Sequence, residues 1–241
     1  MPKILKVKDT ADNFHKKMPV FDLPFKVLLN SKSQYGIGKT TIALNLILNP
    51  EFGYTDIFKG ENIYIISDND LDNKLKTLQK YKDIPDANIM NYNEGELTAL
   101  YDEIEEKFKE EKADNDIQYR LFFMDDVGYS GNLGKNKQFG IITKLVANGR
   151  HLNISQLYTS QSLQMTSTIL RNQLSGLIVG SASMKELELL SDSFNYLTSK
   201  KAFISMFRKH TNEPRSFLVL NFTGKDGLYY DKDFKPIKDF E

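Results

Sequence analysis

The chain has 241 residues, 40% of them hydrophobic, and its 32 basic residues are balanced by 32 acidic ones. That length buries a full core and suits one large domain, while a formal net charge of +0 excludes a global field for nucleic acid and leaves any such contact to a local basic surface. Cysteine is absent and no uninterrupted apolar run approaches the ~18 residues of a membrane span, which excludes disulfides and thiolate metal sites and leads us to expect a soluble, intracellular protein with no membrane partner.

Residues 1–24 mix Lys, Asp and three prolines (Pro2, Pro19, Pro24) and read as an irregular N-terminal arm, with a single domain over 25–241. The apolar run Phe25-Lys-Val-Leu-Leu29 predicts a buried strand and Ile42-Ala-Leu-Asn-Leu-Ile-Leu48 a helix. Between them lies Ser33-Gln-Tyr-Gly-Ile-Gly-Lys-Thr-Thr41, which reads as a phosphate-binding loop. In such a loop backbone N–H groups and the helix N-terminus face one anion, so Ser33, Gln34, Tyr35, Gly36, Ile37, Gly38, Lys39, Thr40 and Thr41 are assigned to ATP. Gly36 and Gly38 allow the backbone to approach, Lys39 reaches the β- and γ-phosphates, and the Thr40 hydroxyl is placed for Mg2+. The usual first glycine is replaced by Ser33, and the plain alternative is a glycine-containing turn with an incidental Lys-Thr.

Asn49-Pro50 ends the helix, and Asn62-Ile-Tyr-Ile-Ile-Ser67 predicts the next strand, opening a parallel sheet. Asp68-Asn-Asp-Leu-Asp-Asn73 begins like a calcium loop but lacks its glycine and closing Glu, so a strand-to-helix turn with an N-cap is expected. Leu97, Leu100, Tyr101, Ile104 and Phe108 mark one face of a helix over 96–112, whose charged side reads as solvated surface. Tyr119-Arg-Leu-Phe-Phe-Met-Asp-Asp126 predicts a buried strand ending in two carboxylates at the phosphate-loop edge. Coupled to that loop, Asp125 is assigned to Mg2+ and Asp126 to orienting or deprotonating the attacking water.

Gly128 to Lys137 is glycine-rich and reads as a loop, with Lys135 and Lys137 available to a DNA backbone, before a helix over 138–149. Asn153 to Gln161 predicts a strand, and Gln161 at its end is placed to hydrogen-bond both the water and the γ-phosphate. Arg171, at the end of a helix before a strand from about Leu174, fits either an arginine finger offered to a neighbouring subunit or a cation on a helix dipole. A helix over 184–194, a helical stretch around 203–207, a strand over 216–222 and a tail with Tyr229, Tyr230 and Phe234 complete the chain. His15, His151 and His210 have no metal-ligand spacing. These elements predict an α/β fold with a mostly parallel central sheet and helices on both faces.

With these residues in place, the chain resembles the genome-packaging ATPases of large DNA viruses and virophages, the poxvirus-type branch of the FtsK/HerA superfamily. The carrying features are Gly38-Lys39-Thr40, Asp125-Asp126, Gly149-Arg-His-Leu-Asn-Ile-Ser155 ahead of the strand ending in Gln161, and Ile169-Leu-Arg-Asn172. The resemblance implies a RecA-like (ASCE) P-loop core and a homo-oligomeric ring, a pentamer or hexamer, that threads double-stranded DNA into a preformed capsid, with a capsid or portal vertex protein as partner. It also implies Gln161 as sensor, Arg171 as the trans-acting finger and Arg150 as a second candidate, in a protein of the host-cell cytoplasm, virus factory or virion. Two other functions share these motifs: a P-loop kinase or remodeller that does not translocate, and a nucleotide-switched structural component of a virus particle.

Overall fold

The computed structural model describes residues 15–32, 36–67, 72–126, 140–223 and 228–238. Its elements are β1 (Lys26–Asn30), α1 (Lys39–Leu48), β2 (Ile63–Ser67), α2 (Asn73–Lys82), β3 (Ile89–Met90), α3 (Glu94–Asp114), β4 (Arg120–Asp125) and α4 (Ile141–Asn148). They continue as β5 (Ile154–Ser160), α5 (Thr168–Asn172), β6 (Gly176–Val179), α6 (Met184–Phe194), α7 (Lys200–Thr211), β7 (Leu218–Asn221) and β8 (Tyr229–Tyr230). The strands form one 8-stranded sheet in the order β3-β2-β4-β5-β1-β6-β7-β8.

All strands from β3 through β6 in that order pair in parallel. A parallel sheet covered on both faces needs strands that are apolar on both sides. β1, β2 and β4 meet that demand, alternating Val27 and Leu29, Ile63 and Ile65, Leu121 and Phe123 toward the α1–α2 side. Leu28, Tyr64, Ile66, Phe122 and Met124 point to the opposite side, where α3, α4, α6 and α7 pack. The α3 stripe Leu97, Tyr101, Ile104 and Phe108 is buried as its period predicts. Asp72 caps α2, accepting hydrogen bonds from the N–H groups of Lys74 at 2.9 Å and Leu75 at 2.8 Å, so the N-cap read at the calcium-like stretch is present.

Three features go beyond the sequence reading. Residues 15–24, expected as an irregular arm, hold no helix or named strand but are packed against the domain: Phe21 and Leu23 are fully buried, and the Phe21 N–H donates to Tyr54 Oη at 2.8 Å while that hydroxyl donates back to Phe21 O at 2.7 Å. The strand expected over 216–222 runs antiparallel to β6, because α7 returns the chain along the same sheet edge. The tail supplies an edge strand, β8, and Phe234 packs edge-on against Phe52 at 5.0 Å. Among the described residues no helix is long and apolar enough to cross a membrane.

Candidate nucleotide site

Strand, turn and helix are local consequences of sequence, and they bring β1 directly into the N-terminus of α1. Gly38 caps α1 in the left-handed region at φ 80, with no side chain satisfying the helix. The first-turn N–H groups therefore face outward without intrahelical acceptors, which is the donor set an anion binds. Gly36 passes so close to the chain before it that an added Cβ would sit 1.9 Å from Lys32 O. The Ile37 N–H donates to Ser31 Oγ at 3.3 Å, and the Lys39 ammonium donates to Ser31 O at 2.8 Å, folding the lysine over the loop. Ser33, Gln34 and Tyr35 lie outside the described residues, as do Lys135, Lys137 and the glycine-rich loop.

Lys39 is 9% exposed, and burial lowers its pKa, opposed by the negative charges of Asp126 and Asp125. A phosphate placed here would restore the ammonium by supplying the charge that burial removes. Asp125 ends β4 beside Ser67 of β2. Burial raises its carboxyl pKa to about 6, with Asp126 and Asp72 adding repulsion while a hydrogen bond from Thr159 and the charge of Lys39 oppose the rise.

Between the loop strand β1 and the acid strand β4 lies β5, so its end reaches both. Thr159 Oγ1 donates to Asp125 Oδ1 at 2.9 Å and accepts the Asp126 N–H at 2.8 Å, tying the Asp125 carboxylate and the Asp126 backbone to the end of β5. The chain turns out of β4 at Asp126 with φ 49, a region Asp tolerates better than most residues. Two residues beyond Thr159, Gln161 Nε2 donates to Asp126 Oδ2 at 3.4 Å. Asp126 Oδ1 is buried and has no hydrogen-bond partner among the described residues, the condition of a carboxylate that awaits a water or a hydrated cation. Hard cations take oxygen donors, so the Thr40 hydroxyl and the Asp125 carboxylate suit Mg2+.

The arginines separate. Arg171 is 7% exposed, and its guanidinium already donates to Leu163 O at 3.3 Å, to Thr166 O and to Thr168 Oγ1 at 3.2 Å. In this conformation it ties the crossover between β5 and β6 instead of reaching toward a neighbour. Arg150 is exposed on the short turn Gly149–Leu152, which enters β5 at the sheet edge opposite the loop. Its guanidinium has no hydrogen bond or ion pair among the described residues.

Several site residues are not marked by the sequence pattern. Ser31 and Thr159 are ordinary polar residues there, since only the pairing of β5 with its neighbours shows what they touch. Lys74, Pro214 and Arg215 line, with Gly36, Ile37, Gly38 and Thr41, a cavity of about 680 Å3 over the loop. Nothing in the local pattern of those three residues signals a ligand.

A mostly parallel sheet with a phosphate loop, a carboxylate pair and a polar strand end inserted between them defines the RecA-like P-loop class. The chain matches the Poxvirus A32 protein family over residues 13–232 and belongs to that family. No curated protein sequence matches it significantly. Among solved structures it is similar to the genome packaging NTPase B204 of Sulfolobus turreted icosahedral virus 2 in complex with ATP-gammaS, at TM-score 0.58 and 14% identity over 89% of this chain and 98% of that one. B204 of Sulfolobus turreted icosahedral virus, described as a DNA-packaging ATPase, matches at TM-score 0.55 and 16% identity over 90% and 99%. ATPases 2 and 3 of EssC from Geobacillus thermodenitrificans match at TM-score 0.57 and 13% identity over 90% of this chain and 41% of that one. At such identities the likeness is one of fold.

Proposed function

We propose that this protein is an ATP-driven double-stranded DNA translocase that packages a viral genome into a preformed capsid. Membership of the Poxvirus A32 family and a fold shared with B204, whose description is a genome packaging NTPase, support the reading. The observation that carries it is the position of β5: Thr159 binds the Asp125 carboxylate and the Asp126 N–H, and Gln161 contacts the Asp126 carboxylate, an arrangement that supports a hydrolytic site beside the phosphate loop. A kinase would need its water-directing groups kept away from the γ-phosphate, and here they converge on that edge.

In this mechanism the first-turn N–H groups of α1 cradle the phosphates, and Lys39 leaves Ser31 O to neutralise charge on the β- and γ-phosphates. Asp126 would receive the proton of the attacking water through Oδ1, which has no partner among the described residues, or orient that water. Gln161, in contact with Asp126, would register whether the γ-phosphate bond is intact. Thr40 and Asp125 would hold Mg2+, which would supply neutralisation of phosphate charge when bound. A ring of five or six copies would complete each site, and Arg150, exposed and without a hydrogen bond or ion pair among the described residues, is better placed than Arg171 to be offered to a neighbour. Within the infected host cell that ring would stand at a capsid or portal vertex.

ATP turnover measured against double-stranded DNA concentration, on a sample of known oligomeric state, tests the proposal. Stimulation by DNA, lost in K39A and in D126N, is expected. A wild-type ring that turns over ATP at one rate with and without DNA would refute translocation.

A further inference from the structure

Beyond the phosphates, the reading of this site as a nucleotide pocket leaves one question of chemistry open: what holds the nucleoside. The γ end of the triphosphate is fixed by Lys39, Asp125, Asp126 and Gln161, so the nucleoside must extend away from them, past Gly38 and Thr41. Those two residues line a cavity of about 680 Å3 together with Pro214, Arg215 and Lys74 from α2. Pro214 and Arg215 belong to the turn between α7 and β7.

That turn is built to hold its arginine in place. Ser216 is buried, and both its N–H at 3.1 Å and its hydroxyl at 2.6 Å donate to Glu213 O. Phe217, next along, is buried in the core beneath the sheet. Arg215 itself adopts φ 64, a left-handed conformation that L side chains avoid. A glycine would take that conformation freely, so a long side chain held there against the backbone preference is a reason to look for its use. Unlike Arg120, paired with Glu111, and Arg171, bonded to carbonyl oxygens, the Arg215 guanidinium has no hydrogen bond or ion pair among the described residues. It is also exposed, on the wall of a cavity.

We propose that Arg215, backed by Pro214, is the base-stacking residue of the nucleotide pocket, its planar guanidinium lying on the face of a purine. The chemistry is suitable: a guanidinium is flat, delocalised and weakly hydrated, and it stacks on π systems in a way a lysine ammonium does not. The Pro214 ring gives a rigid apolar edge beside it. Gly38 and Thr41 lie at the phosphate end, and the volume of the shared cavity leaves room for the sugar. The pocket then selects a nucleoside triphosphate over a bare polyphosphate, and it does so with a residue 176 positions after Lys39.

The test compares ATP with inorganic tripolyphosphate, both with Mg2+, as ligands of the full chain in titration calorimetry. Arg215→Gly removes the side chain and relieves the left-handed strain, so this variant is expected to melt no lower than wild type. It is expected to bind ATP about tenfold more weakly while its tripolyphosphate affinity stays within about twofold of wild type. Arg215→Lys, which keeps the charge and loses the plane, is expected to lose ATP affinity as well. Lys39→Ala is expected to lose both ligands, and retention of both by that variant would overturn the phosphate-loop reading itself. With that reading intact, unchanged ATP binding by R215G, equal loss of both ligands, or full ATP affinity in R215K would each overturn the stacking role.

Discussion

Replacing Asp125 with asparagine should make the empty protein more stable and the enzyme inactive. The Asp125 carboxyl pKa stands at about 6 against an ordinary 3.8, because burial disfavours the charged form. A shift of that size corresponds to about 3 kcal/mol, which residual solvent at the half-buried carboxylate reduces to about 2 kcal/mol. The sign follows from proton binding: the folded protein holds this proton more tightly than the unfolded chain. Stability is therefore unpenalised below about pH 4, falls as pH rises between about 4 and 6, and carries the whole penalty above that.

The amide introduced by D125N keeps an oxygen to accept the Thr159 hydroxyl and removes the charge. In a chain of this size the gain of about 2 kcal/mol raises Tm by about 4–8 °C. Thermal melts of nucleotide-free protein in chelator at pH 8 and pH 4.5 read it directly, with the full gain present at the first pH and about a third of it left at the second. Mg-ATP should raise the wild-type melt and leave D125N close to its empty value. A D125N protein that melts below wild type at pH 8, or a gain that ignores pH, would refute the electrostatic account of this carboxylate.

Thr159→Val keeps the shape and removes two hydrogen bonds, so unfolding in urea should show a loss of about 1–3 kcal/mol, and the acid limb of the turnover profile should move to higher pH as Asp125 loses the bond that lowers its pKa. Gly36→Ala drives a Cβ into Lys32 O, placed at 1.9 Å, and calorimetry should find ATP binding weakened at least about tenfold while circular dichroism shows the sheet intact. Lys26, 7% exposed, has its pKa lowered to about 8 by burial and by Arg150, and its ammonium donates to Val146 O at 2.8 Å. The folded state thus penalises the charged form fully below about pH 8 and hardly at all above about 10.5, so Lys26→Met should stabilise by about 1–2 kcal/mol at pH 7 after the lost hydrogen bonds to Val146 O and Gln173 are counted, and the gain should turn into a net loss in melts at pH 10.5.

The elements whose causes are local were legible. A buried run, a glycine turn and a helix in sequence can only place Lys39 and Thr40 at a helix N-terminus, and an apolar strand ending in Asp125 and Asp126 announces an edge. What was not legible depends on strand order. The role of Thr159 exists only because β5 is inserted beside β4, a matter of long-range pairing that no window of sequence encodes. Phe21 and Leu23 were masked by the prolines around them, since turn residues outweigh two apolar side chains in a pattern reading and burial is decided by Tyr54 and its neighbours. The burial of Arg171 depends on carbonyl oxygens of the preceding crossover, and the position of Arg215 on the direction in which α7 returns. In each case the tertiary partner, which a single sequence does not name, sets the outcome.

The inserted strand also gives the molecule a lever. β5 runs seven residues, Ile154–Ser160, about 23 Å of backbone clamped between two neighbours and fully buried. Gln161 stands at one end of it and Arg150 just before the other. A strand of that kind barely bends, so if Gln161 senses phosphate as proposed, a shift of the strand at that end would be felt at the opposite edge. In a ring assembled as proposed, the end that feels one phosphate and the end that faces the next protomer are the two ends of a single push-rod. The firing order of such a ring would then be set by the straightness of one strand.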